Sequence, residues 1–299
     1  MSKSVLGISL GDPDRDYNYT AELLGETIHI IRLGIGDDLK EYKRLLRVND
    51  GKYDAFGLGG LDRFLVCDGR KYALRETKQL LQNVKSTPVL DGSGLKNTLE
   101  RSTIQYLQER GIVDFGHSNT MLVCAVDRFG MAEAIWEQGG PVIYGDLMFS
   151  MGIPIPIQTL SGLQAMARVA LPLAVQMPIK WLYPTGDKQK SIVPKFEKQY
   201  AWADVLCGDC HYIRRHMPRN LAGKTIITNT TTAKDTELFR ERGVEMLVTT
   251  TPKLGNRTPG TNVYEAAIVA AIGASAELTA AEYENALARI GWKPSICEL

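Results

Sequence analysis

The sequence predicts an α/β protein of two Rossmann-like lobes with mainly parallel sheets and a central cleft. Three observations predict it. Short apolar runs alternate with helical patterns along the chain. The runs are apolar throughout rather than alternating, as expected for strands covered on both faces. Nothing repeats at a fixed solenoid period. The runs come in order: VLGISLGD (5–12), TIHIIRLG (27–34), YDAFGLGG (53–60), STPVLDGSG (86–94), TMLVCAVDR (120–128), PVIYGD (141–146), ADVLCGD (203–209), KTIITNT (224–230) and EMLVTTTP (245–252). Most end in Gly, Asp or Thr and hand over to a helical stretch, which is how βαβ units read. The pattern changes at VDFGHSN (113–119), which divides an N-terminal α/β lobe, 1–116, from a C-terminal Rossmann-like lobe, 117–299. The polar segment 181–200 reads as a lid over the cleft or as a surface crossover.

Composition narrows the partners. Thirty-five basic residues stand against 34 acidic ones, a net charge of +1, which argues against a nucleic-acid or membrane-surface binder. The opening MSKSVLGISL does not read as a signal peptide, and 163–184 is broken by Arg168, Pro172 and Lys180, so no membrane span is expected. With neither expected, the chain reads as cytoplasmic, and its five cysteines, an odd number, then suggest free thiols. Apolar helices at 160–180 and 262–278 suit the core or the interface of a homo-oligomer.

The P-loop, the GxGxxG fingerprint, HExxH and GxSxG are all absent. Carboxylates recur at strand ends: Asp12, Asp91, Asp127, Asp146 and Asp209. Each singly reads as a helix cap. Together they suit acid–base work or a divalent cation, because ligands of open α/β sheets bind beyond the strands' carboxyl ends. Cys207, Cys210 and His211 have the spacing of a thiol or metal site, but the residues read better as strand and helix core, and no metal is assigned. The threonine-rich exits 226–232 and 248–252, and Arg257 with Asn262 before a helix, suit a ribose or an anion.

The phrase VLDGSGLKNTLER (89–101) joins Asp91, Gly92, Ser93, Gly94, Lys96 and Asn97 where a strand passes into a helix. Asp91-Gly92-Ser93-Gly94 with Leu99 resembles the phrase that closes the substrate domain in the shikimate/quinate dehydrogenase family, and Asn229-Thr230-Thr231 is similar to a late phrase of that family's nucleotide domain. TPVLDGSGLKNTLER, VDRFGMAEA and HYIRRHMP also resemble bacterial proteins labelled quinate 5-dehydrogenase. The resemblance implies an NAD(P)-dependent oxidoreductase acting on a polyhydroxylated ring acid. Asp91 and Lys96 would then handle the reacting hydroxyl. Asp12, Gly92, Ser93, Gly94 and Asn97 would hold the substrate, and Asp127, Arg128, Asp146, Asn229, Thr230, Thr250, Arg257 and Asn262 the cofactor. The sequence departs from the family where AVDRFGMAEA (125–134) replaces the glycine-rich nucleotide loop, and the family's N-x-T-x-P-x-K phrase is missing. The alternative is a binder of a small polar ligand, or a different catalyst, with an aspartate-rich cleft and no nicotinamide.

Overall fold

The computed structural model describes residues 2–182, 191–252 and 258–299. Among the described residues the thirteen strands are β1 (Lys3–Ser9), β2 (Tyr17–Leu23), β3 (Glu26–Gly34), β4 (Ala55–Gly59), β5 (Phe64–Cys67), β6 (Arg70–Ala73), β7 (Val89–Leu90), β8 (Thr120–Leu122), β9 (Val142–Tyr144), β10 (Val205–Cys207), β11 (Thr225–Thr228), β12 (Met246–Thr249) and β13 (Ser295–Glu298). They form two main sheets, ordered β2-β3-β1-β4-β7 and β13-β12-β11-β10-β8-β9, with β5 and β6 as a separate hairpin. All pairings in the main sheets are parallel except the edge pairs β2–β3 and β12–β13. This is the mixed α/β architecture with mainly parallel sheets that the alternation of runs and helices predicts.

The inner strands of each sheet, such as β1, β4 and β10, are buried on both faces, which is why they are apolar at consecutive positions. In β1, Val5 faces one core while Leu6 and Ile8 belong to another. Helix Leu39–Asn49 covers the second face with Tyr42 and Leu46, one turn apart, and the Tyr42 hydroxyl donates to Ile8 O at 2.9 Å.

The first face is covered from far along the chain. Helices Thr261–Ile272 and Ala280–Ile290 pack there with Ser93–Glu109, so that Val263, Tyr264 and Ala267 share a core with Val5, Ile28 and Ile30. The boundary expected at 116/117 therefore needs correction, because helices expected in the second lobe complete the first. Thr261–Ile272 is apolar on nearly all sides, and such a helix must be enclosed. The chain then returns through β13 to the second sheet. By contrast, helix Leu160–Ala174 buries Leu163, Ala167 and Leu171 but leaves Val169 and Leu173 exposed. Among the described residues no helix is long and apolar enough to cross a membrane.

Both sheets reverse their strand order at one point. In the second sheet the chain runs outward from β8 to β9 and then resumes at β10 on the other side of β8. In the first sheet β3 and β4 flank β1 in the same way. A crevice opens at such a point, beyond the carboxyl ends of the strands.

Candidate functional site

The two crevices face each other across one cleft of about 850 Å³. From the first lobe come the exits of β1 and β4, with Gly11, Arg15, Gly60 and Asp62. From the second come the exits of β8, β10 and β11, with Asp127, Arg128, Asp209, His211 and Asn229. Arg15 Nη1 lies 3.5 Å from His211 Nε2 across the mouth of the cleft. Burial lowers the His211 pKa more than the neighbouring Asp209 raises it.

The floor is a crossed pair of ion pairs. Lys96 and Glu100 sit one turn apart on helix Ser93–Glu109 and therefore on one face. Lys96 Nζ donates to Asp127 Oδ1 at 2.7 Å and lies 3.9 Å from Asp62 Oδ1. Arg128, the next residue in the β8 exit, donates through Nη1 to Glu100 and through Nη2 to Asp209 at 3.2 Å. Positive over negative on the helix thus meets negative beside positive on the turn. Glu100 and Arg128 are almost wholly buried, while a third of the Asp127 side chain stays open to the cleft.

Burial opposes the charge on Lys96, but Asp127 and Asp62 outweigh it and hold the ammonium well above its ordinary pKa. Burial pushes the Glu100 carboxyl up to about 7, with the Arg128 and Lys96 charges working against that rise. Burial would also raise Asp209, yet the charges of His211 and Arg128 keep it below the usual range. The floor therefore presents a fixed ammonium beside several carboxyl groups. That suits hydroxyl groups, which donate and accept at once.

Asp91 borders the cleft but holds a turn. One oxygen accepts from the backbone N–H of Arg63 and of Phe64, the other from Ser93 N at 3.0 Å and Ser93 Oγ at 2.7 Å. The expected Asp91–Lys96 pair is corrected to Lys96–Asp127. Gly92 takes φ +92°, and a Cβ there would stand 2.9 Å from Asn262 N, so its role is to let helix Thr261–Ile272 come close. Gly94 is equally tight against Glu277 and Glu265. Ser93 is held by Asp91, and Asn97 accepts from Gly130 N at 3.1 Å, which ties two helices together. Of this phrase, Asp91, Gly92 and Lys96 line the cleft.

The helix start at Ser93 is also closed to a ligand. Glu265, fully buried, accepts from Gly92 N at 2.7 Å, from Leu95 N at 3.0 Å and from the Tyr283 hydroxyl. Burial, with Asp91 nearby, pushes its carboxyl up to about 8. A carboxylate from another helix thus fills the place of an N-cap.

Other expected residues divide in the same way. Asn229, Thr230 and Asn262 lie on the cleft wall. Asp12 caps the short turn Pro13–Arg15, accepting from Asp14 N at 3.0 Å. Asp146 accepts from Ala125 N at 3.0 Å and Val126 N at 2.9 Å, and its burial lifts it to about 6. Thr250 is fully buried, its carbonyl accepting from Trp292 Nε1 at 3.1 Å. Asp12, Asp146 and Thr250 are thereby corrected from ligand groups to structural ones, and the five aspartates do not form one cluster. Cys207 and Cys210 point into different cores, their thiols pushed up by burial. Arg257 lies outside the described residues, as does much of the segment expected as a lid; within the rest, Val193 N and Lys195 N bond to Arg215 O at 2.8 Å and His216 O at 3.1 Å.

A dinucleotide does not fit the β8 exit. The N–H groups of Ala125 and Val126, which begin the turn where a pyrophosphate would approach, are occupied by Asp146. Asp127 places a carboxylate beside them, and Arg128 is committed to Glu100 and Asp209. Negative charge repels a pyrophosphate there, and no glycine-rich backbone is left to cradle it.

Sequence reading missed Asp62, Glu100 and Glu265. Glu100 had a signal in its i+4 spacing from Lys96, and Glu265 in being a lone acid inside an apolar helix.

Fold and site together define a two-lobed α/β protein with a polar cleft between its lobes. The sequence matches a family described as a domain of unknown function, DUF8754, over residues 94–299, and a second such domain, DUF8753, over residues 4–91. The chain belongs to the DUF8754 family. Among curated proteins no sequence matches. Among solved structures the chain is similar to GanP, a glucose-galactose binding protein from Geobacillus stearothermophilus, at 10% identity and TM-score 0.41, covering 100% of this chain and 98% of that one. It is also similar to an NAD-dependent malic enzyme from Thermotoga maritima, at 11% identity and TM-score 0.34, covering 83% and 65% of the two chains. An ABC transporter solute binding protein from Burkholderia multivorans gives 10% identity and TM-score 0.41 over 99% of both chains.

Proposed function

We propose that this protein binds one small polyhydroxylated molecule between its lobes, with ligand hydroxyls bridging Lys96 and Asp127. The observation that carries this reading is the Lys96–Asp127 pair itself, formed between a shared helix and the β8 exit and open to the cleft at Asp127. Lys96 has three N–H donors and Asp127 a second oxygen, so a hydroxyl can accept from one and donate to the other. Asn229 and Thr230 add neutral partners on the wall. Around the floor, Asp62, Asp127 and Asp209 outnumber Lys96 and Arg128, which favours a neutral polyol over a polyphosphate. A ring acid such as quinate or shikimate, the class implied by the DGSG phrase, fits with its carboxylate toward Arg15 at the mouth and its hydroxyls on the floor.

The same site gives less support to an oxidoreductase. Lys96 is held protonated, so it can donate a proton or a hydrogen bond but does not serve as the base that hydride removal needs. The β8 exit lacks the nicotinamide cofactor's phosphate cradle.

Calorimetry with glucose, myo-inositol, quinate, shikimate and NADPH tests the reading. At least one polyol is expected to bind in the micromolar range and NADPH not to bind. Hydride transfer between quinate and NADP would overturn it, as would NADPH binding with no polyol bound.

A further inference from the structure

The cleft does not end at its charged floor. Past Asn229 it continues along the second sheet, between the start of helix Ala233–Glu241 and strands β12 and β13. The antiparallel register pairs Leu247 with Cys297 and Thr249 with Ser295. Residues two apart on a strand share a face, and so do directly paired residues, so these four side chains form one surface. Ala233 and Thr236 form the wall opposite, and all six line the same cavity as Lys96 and Asp127. None is an Asp, Glu, Lys, Arg or His. Asp235, which also borders the cavity, is held by the Thr232 capping box and by Arg214.

One cavity thus joins a floor of fixed charges to an uncharged arm of methyl, hydroxyl and thiol groups. A single sugar-sized ring engaging Lys96 and Asp127 leaves the arm unfilled, since 850 Å³ is near the upper end of the range typical of small-molecule sites. We infer that the ligand is a conjugate: a polyhydroxylated head on the Lys96–Asp127 floor, joined to an uncharged aryl or short alkyl extension lying over Leu247 and Cys297. The inference rests on the head-group reading above and adds the second half of the ligand. It gives the arm its chemistry: apolar contact from Leu247 and Ala233, single hydrogen bonds from Thr236 and Ser295, and nothing that would desolvate a charge.

The protein carries its own reporter for this arm. Cys297 is exposed, whereas Cys67, Cys124, Cys207 and Cys210 are buried, so a thiol reagent applied to the native protein reads Cys297. The test compares glucose with phenyl β-glucoside, and quinate with its caffeoyl ester. In at least one pair the extended member is expected to bind about tenfold more tightly, from burial of one ring. It is also expected to slow labelling of Cys297 several-fold, while its parent leaves the rate unchanged. Thr236→Trp, which fills the arm, should abolish the extra affinity and leave the parent's affinity intact. Ser295→Trp provides the same block from the facing wall should the first variant fold poorly. Parents that bind, with extended members no tighter and Cys297 labelled at its free rate, would overturn the arm and leave the head-group site standing. Failure of every member to bind would overturn both.

Discussion

Two acidic clusters lie within two turns of one helix and do opposite things. At the first residues of Ser93–Glu109, Asp91 and Glu265 accept hydrogen bonds from backbone N–H groups, Ser93 and the Tyr283 hydroxyl, and no oxygen is left for a ligand. One turn on, Lys96 and Asp127 satisfy each other while Asp127 remains partly open to the cleft. Residue type does not separate the two. A carboxylate whose lone pairs are all matched by the fold holds shape, and one with capacity to spare can meet a ligand.

The contrast is easiest to break at Glu265. Glu265→Ala leaves three buried donors without an acceptor and should cost about 3–5 kcal/mol of stability, read by chemical denaturation. A loss below about 1 kcal/mol would mean that the closed cluster is not what fixes the helix start.

A pH titration sharpens the same point. The Glu265 carboxyl is raised from 4.5 to about 8, so its ionised form is disfavoured in the folded state. The folded protein then holds this proton more tightly than the unfolded chain does. Its contribution is fully present below pH 4.5 and is lost as pH rises from 4.5 to about 8, with a slope of up to ~1.4 kcal/mol per pH unit. Glu265→Gln should flatten that part of the profile, and an unchanged profile would contradict the assignment.

The open cluster should respond in binding rather than in stability. Lys96→Met is expected to weaken polyol binding about 30-fold, or ~2 kcal/mol, because a charged donor is lost from the floor. Its effect on stability should be smaller, since Asp127 is partly solvated. The smallest effect is expected at Asn97. Asn97→Ala removes one bond between two helices, for about 1 kcal/mol of stability and no change in affinity. A large affinity loss there would return the whole DGSG phrase to the ligand.

Much of this was legible in the sequence. Apolar runs ending mostly in Gly, Asp or Thr marked nine of the thirteen described strands, but not the edge strands β2 and β13 or the β5–β6 hairpin. Asp127, Lys96, Asn229, Thr230 and Asn262, named as candidates from the sequence, do line the cleft. Partner choice was less legible. Asp91 and Lys96 are five apart in sequence, but Asp91 bonds back to the loop at Arg63 and Phe64, and Lys96 reaches forward to Asp127. Asp146 looked like a strand-end ligand because the backbone groups it caps lie twenty residues away, a closure that only the tertiary fold reveals. The composition of Thr261–Ile272 showed that it must be enclosed, but not by which sheet.

That helix sets the order of assembly. The first sheet is synthesised within the opening 90 residues, yet one of its faces waits for residues 261–290. On the ribosome, Val5, Ile28 and Ile30 stay uncovered until residues 261–290 have emerged, and the contacts that finally cover them have very long sequence separation. The N-terminal segment made alone should be sticky, and the two lobes should fold as one cooperative unit rather than one after the other.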